Sequence, residues 1–98
     1  MVRLIGLWTE PADIGAFEHD YLGSHFPRLH GLAGSHAAIT SRCIEGPYFR
    51  LTEVSFSSTD DISTALETDL GREILAGARS LAEKYGVQLE VLVVADAG

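Results

Sequence analysis

The chain has 98 residues, 46% of them hydrophobic and 21% charged, which is the size of one domain and too little for two. Fourteen acidic residues against seven basic ones give a net charge of −7 with the histidines neutral, and the scattered cations offer no stripe for a phosphate backbone or an anionic bilayer, so nucleic acid and membrane are excluded as partners. No apolar run approaches the ~20 residues that cross a bilayer, no secretory segment is readable, and the single cysteine, Cys43, has no partner for an internal disulfide, so the expected location is cytoplasmic.

Residues 2–9, VRLIGLWT, are apolar at nearly every position and predict a buried strand that stops at Glu10-Pro11. Asp13 can cap a helix whose stripe Ile14, Phe17, Tyr21, His25 has helical spacing. Pro27 is expected to end it near Phe26. A loop around Gly31 and Gly34 leads to a second strand, 36–44, and Gly46-Pro47 makes the turn. Residues 48–56, YFRLTEVSF, alternate and are rich in β-formers, which predicts a third strand. Ser58 can cap a short helix through Glu67, and Thr68-Asp69 can cap a longer one. The stripe Leu70, Ile74, Ala78, Leu81, Tyr85 then runs to a stop at Gly86. Residues 87–94, VQLEVLVV, predict the fourth strand.

With the short helix taken as a prelude to the long one, the order is βαββαβ over a single domain, 1–98. That is the α+β plan of a ferredoxin-like, four-stranded antiparallel sheet. Helices would cover one face only, yet the first and fourth strands are apolar on both. A second copy of the chain is the simplest cover for the other face, so a homodimer is expected.

Several of these segments together resemble the EthD family, whose name comes from ethyl tert-butyl ether degradation. The likeness covers nearly the whole chain. It runs from LWTEP through Phe17-x3-Tyr21-x3-His25-x-Pro27 to Leu32-Ala33-Gly34, where the family more often has a central proline. It continues in PYFRLTEVSFSSTDDISTAL. The resemblance implies a dimeric α/β barrel, two sheets packed face to face. Barrels of this kind include polyketide cyclases, muconolactone-type isomerases, cofactor-free monooxygenases and haem-handling enzymes.

His25 is the leading candidate for chemistry. It stands one turn after Tyr21 on a stripe directed at the sheet, where an imidazole can be poised near neutral pH and a phenol can orient a ligand or share a proton. The structural alternative is a helix-terminal imidazole, favoured in its charged form and bonded to a loop carbonyl. Glu53, central in the third strand, either pairs with Arg3 or Arg50 or, if it faces His25, completes an acid/base couple. Trp8, Phe49 and His36 are candidates for contact with an apolar ligand. The histidines at 19, 25, 30 and 36 have no metal-ligand spacing, so no metal is expected, and no glycine-rich phosphate cradle calls for a nucleotide cofactor.

Two readings follow. One is a small cofactor-free enzyme moving protons on an apolar, aromatic, polyketide- or lactone-like molecule, as a cyclase, isomerase or dehydratase, with cofactor-free oxygenation as a variant. The other is a non-catalytic binding or accessory protein of a degradation pathway. A pocket between the first helix and the sheet, reached by both His25 and Tyr21, favours the enzyme. A filled core favours the binding protein.

Overall fold

Along Arg50–Phe56 the residues Arg50, Thr52, Val54 and Phe56 are buried, and Leu51, Glu53 and Ser55 between them are half-buried. This is the two-residue period of a strand whose faces meet different surroundings. The structure, a computed structural model, describes residues 1–96. It consists of β1 (Val2–Trp8), α1 (Ile14–Asp20), β2 (Ser35–Arg42), β3 (Arg50–Phe56), α2 (Thr59–Glu67), α3 (Asp69–Lys84) and β4 (Leu89–Ala95). The strands are antiparallel in the order β2-β3-β1-β4. The architecture is therefore the expected α+β ferredoxin-like sheet.

Register assigns each side chain to a face. Val2, Leu4, Gly6 and Trp8 lie beside Phe56, Val54, Thr52 and Arg50, and the helices pack on this side. One part of the core joins Trp8 and Phe49 to Phe17, Tyr21, Leu81 and Tyr85. The other joins Val54 and Phe56 to Leu29, Leu32, Ile62 and Ile74. Phe17, Tyr21 and Phe56 are wholly buried, each contributing about 1.5–3 kcal/mol of transfer free energy. The opposite side carries Ile5, Leu7, Ile39, Leu51, Leu92 and Val94 around Arg3 and Glu53. Ile39 and Leu92 there are 53% and 41% exposed.

The first helix departs from the expected single run to Phe26. Regular α1 stops at Asp20, a π turn follows over Tyr21–His25, and a 3-10 turn continues over Phe26–Gly31. Pro27 has no N–H for the Gly23 carbonyl, so the i→i−4 ladder cannot continue. The Phe26 N–H instead reaches back five residues to the Tyr21 carbonyl, and Pro27 is accommodated at the start of the 3-10 turn. Strand limits also move. Tyr48 and Phe49 belong to the β2–β3 loop, and the Val87 N–H is turned onto the Ala82 carbonyl at 2.8 Å, which delays β4 to Leu89.

The helix caps follow the sequence. Asp13, Ser58 and Thr68 accept hydrogen bonds from the backbone N–H of Ala16, Asp61 and Gly71 at 3.1, 3.2 and 3.0 Å. Thr68 also donates to the Ala65 carbonyl at 2.6 Å, so one side chain closes α2 and opens α3. Gly71 allows this corner to close, because a Cβ there would lie 2.1 Å from the Ala65 carbonyl oxygen.

Candidate active site at His25

The π turn and α3 enclose a cleft of about 270 Å³ lined by Asp20, Ser24, His25, Arg28, Gly77, Ser80, Leu81 and Lys84. Asp20, Ser24 and Arg28 recur every fourth residue on one side of the helical segment, and Gly77, Ser80, Leu81 and Lys84 repeat with the period of α3. Buried Leu81 and His25 and half-buried Gly77 make the floor, and the more exposed polar groups make the rim.

His25 is 9% exposed. Its ring meets Trp8 edge-on with centroids 5.7 Å apart and lies 5.7 Å from the Tyr21 ring. No hydrogen bond to the imidazole forms among the described residues, so the loop-carbonyl bond of the structural alternative is not made. Burial, with the Arg28 cation as a second cause, holds the His25 pKa below its ordinary value. That shift favours the uncharged, proton-accepting form of the ring in the floor of the cleft. On the rim, Arg28 pairs with Glu73 at 2.6 Å and Lys84 with Asp20 at 3.1 Å. Asp20 also accepts from the Tyr85 hydroxyl. That hydrogen bond, followed by the one from Lys84, lowers the pKa of Asp20. The rim thus has two cations, each paired with one carboxylate, so its formal charges balance.

Tyr21 faces inward, away from this cleft, and donor bookkeeping gives its hydroxyl a direction. The Trp8 indole N–H can only donate, and it does so to Thr52 at 3.0 Å. Thr40 donates to the Leu51 carbonyl at 3.2 Å. Thr52 therefore donates to Tyr21, and Tyr21 donates to Thr40 at 2.9 Å. Burial pushes the Tyr21 hydroxyl above its ordinary pKa. Arg50 feeds the same group, donating to Thr40 at 3.0 Å and to both carboxylate oxygens of Glu18 at 2.6 and 2.7 Å.

The space between the first helix and the sheet, where a cavity was expected, is filled by Trp8, Phe17, Tyr21 and Phe49. Glu53 lies on the opposite side of the sheet, paired with Arg3 at 2.9 Å. It forms no couple with His25, because residues of odd number in β3 face away from the helices. Trp8 is a core residue behind His25, and Phe49 lies beneath Arg42 at 4.1 Å beside a second cleft at the β2–β3 loop. His36 is the extra residue at the register shift between Ser35 and Ala37, where its Nε2 shares a hydrogen bond with Ser57 at 2.7 Å. Among the described residues, no group of three or more His, Cys, Asp or Glu side chains is placed to hold a metal ion, and no helix is long and apolar enough to cross a membrane.

The sequence reading did not single out Asp20, Ser24, Arg28, Gly77, Ser80 or Lys84. The four-residue spacing of Asp20, Ser24 and Arg28 was the available signal. Glu18, Thr40, Arg50 and Thr52 were also missed as a network. An arginine in phase with buried Val54 and Phe56 calls for a carboxylate on the element packed above it.

No protein-family model matches the sequence, and no curated protein matches it. Solved structures do. An ethyl tert-butyl ether degradation (EthD) family protein from Bacillus halodurans C-125 superposes with a TM-score of 0.90 at 24% identity, covering 99% of each chain. A DABB family protein with a ferredoxin-like fold from Mesorhizobium loti gives 0.78 at 11% identity, covering 99% of this chain and 97% of the other. SnoaB, a cofactor-independent oxygenase from Streptomyces nogalater, gives 0.70 at 13% identity, covering 99% and 93%. The chain therefore has the ferredoxin-like fold found in EthD and DABB family structures, matched from end to end.

Proposed function

We propose that the protein is a small cofactor-free enzyme that moves protons on a compact organic molecule, with His25 as the base. The observation that carries this reading is an imidazole, free of hydrogen-bond partners among the described residues, in the floor of an open cleft, where burial lowers its pKa and favours the uncharged form. A ligand O–H or acidic C–H gives its proton to His25, and the anion so formed lies near Arg28 and Lys84, where it competes with Glu73 and Asp20 for their donors. The imidazolium then returns the proton to another ligand atom, which is the course of an isomerisation, cyclisation or dehydration. The cleft volume suits a one- or two-ring molecule. The oxygenase named among the structural neighbours makes cofactor-free oxygenation the related variant.

Solvent hydrogen exchange tests the assignment without the natural substrate. The protein is incubated in deuterated buffer with a panel of phenols, enolisable ketones and lactones, and deuterium entry at carbon is followed by mass spectrometry. Exchange that is about 10²-fold faster with the parent than with folded His25→Ala is the expected result. Equal rates for the two proteins over the whole panel overturn it.

Two observations favour a second reading, a binding protein without turnover: the space under α1 is filled, and the Tyr21 proton is committed to Thr40. In that case panel members bind in the cleft and no exchange occurs. In either reading the open sheet face, with Ile39 and Leu92 exposed, is covered by a second copy of the chain.

A further inference from the structure

Glycine inside a helix is destabilising relative to alanine, because the bare backbone loses more conformational freedom on folding. Gly77 lies within α3 between Ala76 and Ala78. Neither usual reason for a glycine applies to it. Its φ is not positive. Nor does it sit where chains crowd, as Gly71 does, for a Cβ placed at residue 77 would find one neighbour within 4 Å, the Nδ1 atom of His25, at 3.8 Å. That is an ordinary van der Waals contact, so a methyl group would fit there. What it would change is the approach to the imidazole nitrogen, and Gly77 and His25 line the same cleft.

We propose that Gly77 is a specificity-determining residue of the cleft, its missing side chain leaving the Nδ1 edge of His25 open to one small hydrogen-bonding group of the ligand. A methyl group at residue 77 would occupy that approach, so the group that enters is a hydroxyl or enol O–H carried at the edge of a flat molecule. A methyl-substituted or branched neighbour of that hydroxyl is rejected. This deepens the reading of His25 as the base by naming what controls access to it.

Access is measurable with diethyl pyrocarbonate, which acylates uncharged imidazole nitrogens. The parent and Gly77→Ala are treated near neutral pH, and acylation of His25 and His36 is followed by peptide mass spectrometry, exposed His36 serving as the internal reference. The expected result is His25 modified in the parent, slowed by an order of magnitude or more in Gly77→Ala, with His36 unchanged and the melting temperature raised by roughly 4–8 °C. A purely structural role for Gly77 would leave the His25 rate alone. A folded Gly77→Ala whose His25 reacts at the parent rate overturns the proposal. So does a parent protein whose His25 stays unmodified while His36 reacts, a measurement that needs no variant. Because acylation is independent of turnover, a blocked edge supports the proposal even where hydrogen exchange shows no role for His25, and the acid/base reading then fails alone.

Discussion

Arg50 and Glu18 meet in a two-pronged ion pair at 2.6 and 2.7 Å that fastens α1 to the third strand. Their side chains are only 8% and 19% exposed. A pair so withdrawn from water is costly to break from one side, since the remaining charge stays buried. Glu18→Gln keeps the shape and removes the charge. It is expected to cost about 3 kcal/mol of folding stability, read as the shift in urea midpoint at unchanged slope. A midpoint equal to that of the parent would show the pair to be dispensable.

Tyr21→Phe tests the directed chain of hydroxyls. The ring and its packing remain, but Thr52 loses its acceptor and Thr40 a donor. The expected loss is about 1–3 kcal/mol of stability, with a turnover number for any substrate close to that of the parent. A stable variant with sharply reduced turnover would instead place the phenol in the chemistry.

The depressed pKa of His25 predicts two pH effects. In the unfolded chain the imidazole takes up a proton near its ordinary value of 6.5, and in the folded protein only at lower pH. Its contribution to stability is whole above pH 6.5 and declines as pH falls from there to the folded value, because the unfolded state binds the extra proton. His25→Gln should flatten that part of the stability curve. The same titration should give turnover or exchange an acid limb with an apparent pKa below 6.5. A limb centred above 6.5 would contradict the burial of the ring.

The open face predicts a homodimer at micromolar concentration. Leu92→Asp, which puts a charge among Ile5, Leu7 and Val94, should shift the mass seen by light scattering from two chains to one while the far-ultraviolet circular dichroism is retained. A parent protein that is already monomeric refutes the expectation.

The architecture was readable because its strands advertise themselves. The alternation in Arg50–Phe56, the capping residues Asp13, Ser58 and Thr68, and the Leu70–Tyr85 stripe are local signals that tertiary packing reinforced. The site was less legible, for reasons that are also physical. Alternation places Glu53 opposite in phase to Thr52 but cannot say which phase meets the helices. Pro27 marks a break in the helical ladder, yet the sequence does not reveal that the chain answers by widening the turn and carrying on. Aromatic residues such as Trp8 and Phe49 read alike whether they line a cavity or fill it, and here Trp8 fills the space beneath the first helix. The groups around His25 come from residues 20–28 and residues 77–84, stretches far apart in the chain, a proximity no local pattern carries.

The corner where one threonine ends α2 and begins α3 has an evolutionary corollary. With the Ala65 carbonyl 2.1 Å from where any Cβ at position 71 would stand, even alanine must drive two helix backbones apart. In a saturation library selected for folded protein, position 71 should accept glycine alone, while Thr68 three residues earlier tolerates serine or aspartate as substitute caps. A single hydrogen atom in place of a methyl group thus sets how closely the two helices can approach.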